Sequence, residues 1–248
     1  MIGYPKHEEE ALRRLWREAF GDEEGFLDLF FAHGYDRTRC RCLWEDGDLA
    51  GALYWFDCEC YGEKYAYLYG VATAMAHRGK GICHALMADT HALLAREGYA
   101  AVTLVPQQEG LRRMYAAMGY RNCGGLEEII CTPGEPTQLR AVGPAEFARL
   151  RRQYLGEGSV LQEGRGLSFL ANQAQFYAGR DFLLTAWEED GCLHGLELLG
   201  NTDAAPGITA ALGCRKGYFR VPGETPFAMF LPLKAGAKMP DYFGFAFD

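Results

Sequence analysis

A glycine-rich turn in the first half of the chain has the composition of an anion-binding loop. Residues 78–83, RGKGIC, follow an uncharged stretch and precede a helical pattern. Two glycines just before a helix let the backbone approach an anion closely, and the free N–H groups and positive dipole of the helix end bind phosphate or pyrophosphate. Arg78 and Lys80 add charge of the right sign. The turn is therefore predicted to bind a phosphate group.

The turn matches neither of the two common nucleotide-binding motifs. A P-loop needs GxxxxGK followed by Ser or Thr, whereas Gly81 follows Lys80 here. The dinucleotide fingerprint GxGxxG needs a third glycine where this chain has His84.

The turn instead resembles the pyrophosphate loop of the GNAT superfamily of acyl-CoA-dependent N-acyltransferases. The family pattern (Q/R)xxGx(G/A) is met by Arg78 and Gly81, with Cys83 where Gly or Ala is usual. Residues 114–120, MYAAMGY, are similar to the LYxxxGF helix end of the same family and lie at the expected distance. Through these two motifs, Glu8 to Thr132 is identified as a member of this superfamily.

The resemblance implies roles for particular residues. Backbone groups of residues 70–73 would hold the pantetheine arm of acetyl-CoA, and the N–H groups of residues 78–83 would hold its pyrophosphate. Gln108 stands where the family often has Asn and would donate to a cofactor carbonyl. Tyr115 stands where many members keep a tyrosine that protonates the leaving thiolate; the alternative is a core tyrosine. The predicted cofactor-binding residues are Val71, Ala72, Thr73, Arg78, Gly79, Lys80, Gly81, Ile82, Cys83 and Gln108, and the predicted catalytic residue is Tyr115.

The elements that position these residues follow from hydrophobic periodicity and turn residues. The uncharged run from Tyr65 to Ala76 indicates a buried strand, and the helix after the turn continues to about Glu97. The other predicted elements of this half are helices over 8–19 and 24–33, a hairpin of 38–45 and 49–60, and a last strand over 127–132. The resemblance implies an α/β (α+β) class, with the GNAT fold of a mixed, mostly antiparallel sheet flanked by helices.

The best domain boundary is the PGEP break at residues 133–136. It divides a GNAT acetyl-CoA-binding catalytic domain, 1–133, from a second, smaller α/β domain, 137–248. Helices are predicted there over 145–154 and 167–177, with a hairpin of 182–187 and 192–199. Residues 187–195 echo residues 44–51, and 210–215 echo 116–121, which suggests a degenerate GNAT-like domain lacking the pyrophosphate loop. Its predicted role is to wall the substrate cleft or to form an oligomer contact.

No general base is evident. Many relatives place a glutamate on or beside the central strand, but residues 65–73 contain no acid, and neither Glu63 nor Glu109 is convincing. In the larger acyltransferases of the enhanced-intracellular-survival type, the terminal carboxylate of the chain enters the site. The apolar tail Phe245 to Asp248 is suited to such a role, or to a last edge strand.

Two sets of side chains invite other interpretations. Tyr65, Tyr67 and Tyr69 share one face of the central strand, where they line an amine pocket or serve ordinary sheet packing. His84 and His91 are seven residues apart, about 10.5 Å along a helix, which is too far to share a metal. They lie opposite the apolar stripe of their helix, so a solvated face is predicted for both.

Composition restricts the class of partner. The net charge of −8 argues against nucleic acid and favours cationic or neutral small substrates. The acidic start is no signal peptide and no run is long enough for a membrane helix, so no membrane partner and a cytoplasmic location are predicted. The nine cysteines form no CxxC motif, and the CxC pairs 40/42 and 58/60 are predicted to be reduced packing residues, with no metal.

The predicted function is an acetyl-CoA-dependent N-acetyltransferase that acts on a small-molecule or peptide amine by direct transfer in a ternary complex. A homo-oligomer is compatible with this prediction. The alternative is a non-catalytic acyl-CoA-binding sensor or partner module, favoured by the missing strand acid and by Cys83 in the loop. A third alternative is a structural protein that binds no cofactor.

Overall fold

The computed structural model describes residues 1–246. Within them, the helices are α1 Glu9–Phe20, α2 Glu24–Leu29, α3 Ile82–Arg96, α4 Glu109–Ala117, α5 Pro144–Tyr154, α6 Gly164–Leu170 and α7 Ala205–Ala211. The strands are β1 Ile2–Gly3, β2 Cys40–Glu45, β3 Asp48–Cys60, β4 Glu63–Thr73, β5 Ala101–Leu104, β6 Arg121–Cys131, β7 Leu139–Ala141, β8 Leu161–Gln162, β9 Gln175–Gly179, β10 Phe182–Glu189, β11 Cys192–Gly200, β12 Lys216–Pro222 and β13 Thr225–Pro232.

One sheet runs through the whole described chain. Its order is β1-β2-β3-β4-β5-β13-β6-β12-β11-β10-β9-β7, with β8 paired to β3. Only β4/β5 and β11/β12 are parallel pairs among the described strands. The predicted mixed, mostly antiparallel sheet with flanking helices is therefore confirmed.

The centre of the sheet is an exchange of strands between the two halves of the chain. β13, from the second half, pairs on one side with β5 and on the other with β6. β6 in turn pairs with β12 of the second half. The boundary predicted at residues 133–136 lies in the connection from β6 to β7, yet the chain crosses back over it to complete the first half of the sheet.

The order of strands repeats around this centre. In each half an antiparallel hairpin leads through a helix to a parallel strand: β3, β4, α3 and β5 in the first half, and β10, β11, α7 and β12 in the second. The sequence echoes do not follow this correspondence. Residues 44–51 lie in the β2–β3 hairpin, whereas 187–195 lie in the β10–β11 hairpin, whose topological counterpart is β3–β4. The repeat is one of topology, and the echoes do not mark it.

Helix ends and hairpin turns form where the sequence predicts them. Gly21 ends α1 with a φ of 78°. Glu9 and Glu10 lie in the first turn, where their negative charge interacts favourably with the positive end of the helix dipole. Asp46 and Gly47 both adopt positive φ, 53° and 93°, as a type I′ turn between β2 and β3 requires.

One predicted helix of the second half is wrong in its extent. The pattern over 167–177 predicts a single helix, but α6 ends at Leu170 and Gln175–Gly179 is the strand β9. β9 pairs with both β10 and β7, and Phe176 and Ala178 are buried on one face. Pairing with distant strands therefore decides this segment, and the local apolar spacing does not show it.

Candidate active site

A cavity of about 400 Å³ opens where β4 and β5 part. The two strands pair only from Tyr65–Ala101 to Tyr67–Thr103, and beyond that register their facing edges diverge. Pro106, which has no N–H to offer a neighbouring strand, follows on the wall of the cavity. The cavity wall consists of Trp16, Ala19, Phe20, Asp22, Phe26, Tyr67, Leu68, Tyr69, Gly70, Val71, Leu104, Val105, Pro106, Gln107, Gln108, Leu111, Tyr115 and Gln173.

A bulge in β4 shapes the opening. The register between β3 and β4 shifts between Ala52 and Tyr54, and opposite this shift Gly70 adopts a φ of 57°. A Cβ on Gly70 would lie 2.6 Å from a ring carbon of Trp16. Glycine is therefore needed both for the positive φ and for the close approach of the indole to the strand.

The glycine turn has the geometry of an anion site. Gly79 and Gly81 both adopt positive φ, 76° and 78°, and α3 begins directly after Gly81. Within residues 1–246, the backbone N–H groups of residues 79–83 make no hydrogen bond. Arg78 and Lys80 are exposed beside them; Arg78 Nε donates to the Thr73 carbonyl oxygen at 3.3 Å. The turn presents unpaired donors and positive charge at a helix N-terminus.

The other predicted cofactor residues connect this turn to the cavity. Val71 and Gln108 lie on the cavity wall, Gln108 at the N-cap position of α4. Ala72 and Thr73 pair with Ala52 and Gly51 of β3, so their second backbone edge faces the gap left by β5. The remaining two, Ile82 and Cys83, form the first turn of α3, where the Ile82 side chain is buried.

Tyr115 lies on the cavity wall and is almost fully buried, at 6% exposure. Burial, with a smaller contribution from nearby Cys83, raises the pKa of its phenol well above the usual value. Its hydroxyl makes no hydrogen bond to any of the residues 1–246. The phenol is therefore a protonated donor, and α4 places Tyr115 on the cavity wall.

Tyr115 packs against a partly buried pair, His91 and Tyr120, that the sequence does not predict. The Tyr115 and Tyr120 rings are 5.6 Å apart, and His91 Nε2 lies 2.7 Å from the Tyr120 hydroxyl. Burial lowers the pKa of His91 to about 4. The prediction of a solvated face is wrong for His91, because β6 begins directly after Tyr120 and brings that ring against α3; it is right for the exposed His84.

The part of the cavity wall beside α1 is aromatic, with one carboxylate that the sequence does not single out. Asp22, two residues after the end of α1, lies on the wall and accepts a hydrogen bond from Trp16 Nε1 at 2.7 Å. Phe20 and Phe26 flank the indole at 5.1 and 6.1 Å. One feature of the sequence could have identified Asp22. It follows Trp16 by six residues, across the left-handed helix cap at Gly21, which turns the chain back onto the indole.

The acids considered from the sequence are not part of this wall. Glu63 pairs with Lys234 at 2.8 Å, and Glu109 lies near Arg112 and Arg113 at 4.0 and 3.8 Å on the exposed start of α4. Of the tail, Phe245 and Ala246 are buried, whereas residues 247 and 248, including the predicted carboxylates, lie outside the described residues.

The three strand tyrosines divide between the two open interpretations. Tyr67 and Tyr69 line the cavity, whereas Tyr65 donates from its hydroxyl to the Lys238 carbonyl oxygen at 2.6 Å and packs on Phe230. Their shared face is thus partly cavity wall and partly sheet packing.

The cysteines carry no recognisable site of their own. All nine have free thiols, and Cys40 and Cys42 are buried with their sulfurs 3.9 Å apart. No group of three or more His, Cys, Asp or Glu side chains within residues 1–246 is arranged to hold a metal ion. The same residues include no helix that is long and apolar enough to cross a membrane.

Residues 3–123 match the family model of an acetyltransferase (GNAT) domain. No curated protein matches the sequence. A GCN5-related N-acetyltransferase from Kribbella flavida superposes with a TM-score of 0.71 at 16% identity, over 96% of this chain and 72% of that chain. One from Anabaena variabilis gives 0.73 at 15% identity, over 94% and 73%. Eis1 from Mycobacterium abscessus gives 0.70 at 12% identity, over 96% and 75%.

These superpositions extend over both halves of the chain, so the predicted GNAT fold is confirmed. At such low identity they bear on the fold alone, and the family rests on the domain match together with the loop and the α4 motif. Residues 3–123 of this chain therefore carry an acetyltransferase (GNAT) domain.

Proposed function

We propose that the protein is an N-acetyltransferase that moves an acetyl group from acetyl-CoA to a primary amine, by direct transfer within a ternary complex. The observation that carries the proposal is the arrangement along β4. A turn of unpaired N–H groups, an open strand edge, a buried tyrosine and an aromatic cavity with a carboxylate follow one another there. Such parts would bind a pyrophosphate-containing thioester, align it with an amine and stabilise the charge that develops during acyl transfer.

The residues present fit acetyl-CoA. Residues 79–83 would accept the pyrophosphate on their unpaired N–H groups, with Arg78 and Lys80 adding charge. The backbone edges of Val71, Ala72 and Thr73 that β5 leaves open would hold the pantetheine arm in the manner of a neighbouring strand. Gln108, on the wall, is a side-chain donor for one of its carbonyl groups. Acetyl-CoA supplies an activated acyl thioester there.

The role assigned to Tyr115 is proton donation. As the nitrogen of the neutral amine bonds to the acyl carbon, the C–S bond would break and the thiolate would take the phenol proton. The proton that the nitrogen then loses would return to the phenolate. Burial holds the phenol in its protonated form, and Tyr115 lies on the cavity wall. It is also close enough to Cys83, at the start of α3, for that thiol to contribute to its raised pKa. General-acid catalysis of this kind contributes about 10²–10⁴-fold to rate.

The rival candidate is an acyl-CoA binder that keeps the fold and lacks the reaction. It is favoured by one observation, that neither Glu63 nor Glu109 reaches the cavity wall to deprotonate the amine. The cytoplasmic location stays a prediction.

The first test is a calorimetric titration of acetyl-CoA into the wild type and Gly81→Asp. The substitution places a carboxylate beside the unpaired N–H groups, so binding should be lost. Gly236→Asp is the matched control, because Gly236 has the same φ of 78° and a Cβ added there would likewise meet no atom within 4 Å. Equal binding by the wild type and Gly81→Asp, or none by any of the three folded proteins, would overturn the assignment of the loop.

The second test separates the enzyme from the binder. Release of free CoA thiol is followed with and without a panel of primary amines. An enzyme releases thiol faster with an amine, and Tyr115→Phe slows this release by about 10²–10⁴-fold with unchanged thermal stability. Tight binding of acetyl-CoA with no amine-dependent release would favour the rival candidate.

A further inference from the structure

We propose that the end of the cavity beside α1 binds a primary amine whose ammonium group is attached to a flat apolar body, such as an arylalkylamine. Asp22 is the specificity-determining residue that binds the ammonium group. Phe20 and Phe26 are the specificity-determining residues that contact the apolar body. The proposal rests on the proposed function, because it names the substrate class of the same site.

The position of Asp22 suits a cation rather than a structural ion pair. Its Oδ2 accepts the Trp16 Nε1 proton at 2.7 Å, which fixes the carboxylate on the cavity wall. No arginine, lysine or histidine among residues 1–246 forms an ion pair with Asp22. Its Oδ1 therefore remains available to an ammonium donor, and a half-buried carboxylate with no cationic partner favours one.

The rings around this carboxylate supply an apolar enclosure. The indole of Trp16 is buried and contacts both Phe20 and Phe26. Phe20 is 39% exposed, which is high for a phenylalanine, and it lies on the wall of the cavity. A flat apolar group beside Phe20 and Phe26 removes their exposed surface from water. Ring faces near Asp22 also attract the ammonium group directly.

The second half of the chain adds one polar group. Gln173, in the connection from α6 to β9, lies on the wall and donates from Nε2 to the Phe169 carbonyl oxygen at 3.5 Å. This bond orients the amide and leaves its Oε1 as an acceptor for a second ammonium proton. Helix α6 itself packs through Phe169 on Phe26, with the rings 5.7 Å apart. Gln173 is therefore a residue through which the second half would form part of the wall of the substrate cleft.

This enclosure disfavours substrates that are polar over their whole length. If a second ammonium or several hydroxyl groups took the place of the apolar body, they would lose their hydration water on contact with the phenylalanine rings. The rings offer no hydrogen bond to compensate for that loss. We therefore expect 2-phenylethylamine to be preferred over spermidine and over an aminoglycoside.

The experiment measures both binding and turnover. 2-Phenylethylamine is titrated calorimetrically into the protein, with and without saturating CoA, and thiol release from acetyl-CoA is measured with 2-phenylethylamine, spermidine and methylamine. The variant is Asp22→Asn, which keeps an oxygen for Trp16 and removes the charge. Glu23→Gln, which removes the neighbouring exposed carboxylate, is the control of equal net charge. Phe20→Ala tests the contact with the apolar body.

The expected result is that Asp22→Asn weakens binding, and raises the KM for 2-phenylethylamine, by about tenfold or more, while Glu23→Gln changes neither. Phe20→Ala raises the KM for 2-phenylethylamine and leaves that for methylamine unchanged. If binding follows this pattern but no amine gives turnover, the inference stands and the proposed enzyme fails. If spermidine is the better substrate, or if Asp22→Asn behaves like Glu23→Gln, the inference is overturned and the proposed enzyme stands.

Discussion

Tyr115 and the pair that it packs against show how one site keeps its groups in single protonation states. Burial raises the pKa of Tyr115 and Tyr120 and lowers the pKa of His91, so each of these side chains is neutral near pH 7. A neutral imidazole 2.7 Å from the Tyr120 hydroxyl fixes that ring, and Tyr120 packs on Tyr115. The proton donor Tyr115 therefore packs against two neutral side chains, Tyr120 and His91, that hold each other in place.

His91 makes stability depend on pH in a defined window. Its pKa is about 4 in the folded protein against an ordinary 6.5. Above pH 6.5 it is neutral in both states and its contribution is complete. As pH falls from 6.5 to about 4, the unfolded chain takes up the proton first, so the free energy of unfolding should decrease by up to about 3 kcal/mol.

Urea unfolding of the wild type and His91→Gln between pH 7.5 and 4 checks this expectation. Glutamine retains a partner for the Tyr120 hydroxyl but does not titrate, so the variant should lose less stability over the window. Parallel pH profiles for the two proteins would contradict the assignment.

At the scale of elements, Gly70 couples the β4 bulge to helix α1. Gly70→Ala meets both a φ of 57° and the Trp16 ring 2.6 Å from the new Cβ. Gly79→Ala meets a φ of 76° with nothing within 4 Å. We expect Gly79→Ala to lower the free energy of unfolding by about 1–2 kcal/mol, because of its left-handed backbone alone. Gly70→Ala should lower it by about 1–3 kcal/mol more, because the new Cβ also collides with the indole.

Chemical denaturation of both glycine variants measures the difference. Because Trp16 also holds Asp22, Gly70→Ala should in addition shift the tryptophan fluorescence, and Gly79→Ala should not. Equal stability losses would show that the indole can move away from β4 at little cost.

Much of this local structure is predictable from the sequence, and the exceptions share a cause. The glycine turn, the β4 strand, α3 and the two Asp-Gly hairpins have short-range signals in glycine placement and periodicity. His91 has no such signal, because its surroundings come from Tyr120 through tertiary packing. For Asp22 the signal is only its spacing from Trp16 across the helix cap at Gly21. The local pattern of β9 predicts a helix for the same reason, since the strands that pair with it stand elsewhere in the chain.

On the scale of the whole molecule, the tail and the second half are fixed by a buried ionic network. Arg151 donates to both oxygens of Glu197 at 2.7 and 2.8 Å, and the Tyr242 hydroxyl donates to Glu197 at 2.9 Å. Arg151 also lies over the Phe245 ring at 4.1 Å. Phe243 then contacts Tyr67, with the rings 5.0 Å apart, so the tail joins the second half to the cavity wall.

The strand exchange makes the first half dependent on the second. β13 covers β5, whose four residues Ala101–Leu104 are all buried, and it covers one edge of β6. Ala228, Met229 and Phe230 of β13 are at most 1% exposed. A chain of residues 1–133 alone would expose apolar side chains and three unpaired strand edges, one of β5 and both of β6, and such edges promote aggregation.

We therefore expect residues 1–133 to aggregate or to unfold without cooperativity when produced alone. When coexpressed with residues 134–248 as a separate chain, they should form a soluble complex of both fragments, because β13 then returns to its place between β5 and β6. Light scattering on a sizing column and near-ultraviolet circular dichroism distinguish the two results. A monomeric 1–133 fragment that unfolds cooperatively and binds acetyl-CoA would show that the first half completes its own sheet without β13, and that the exchange is not required for the cofactor site.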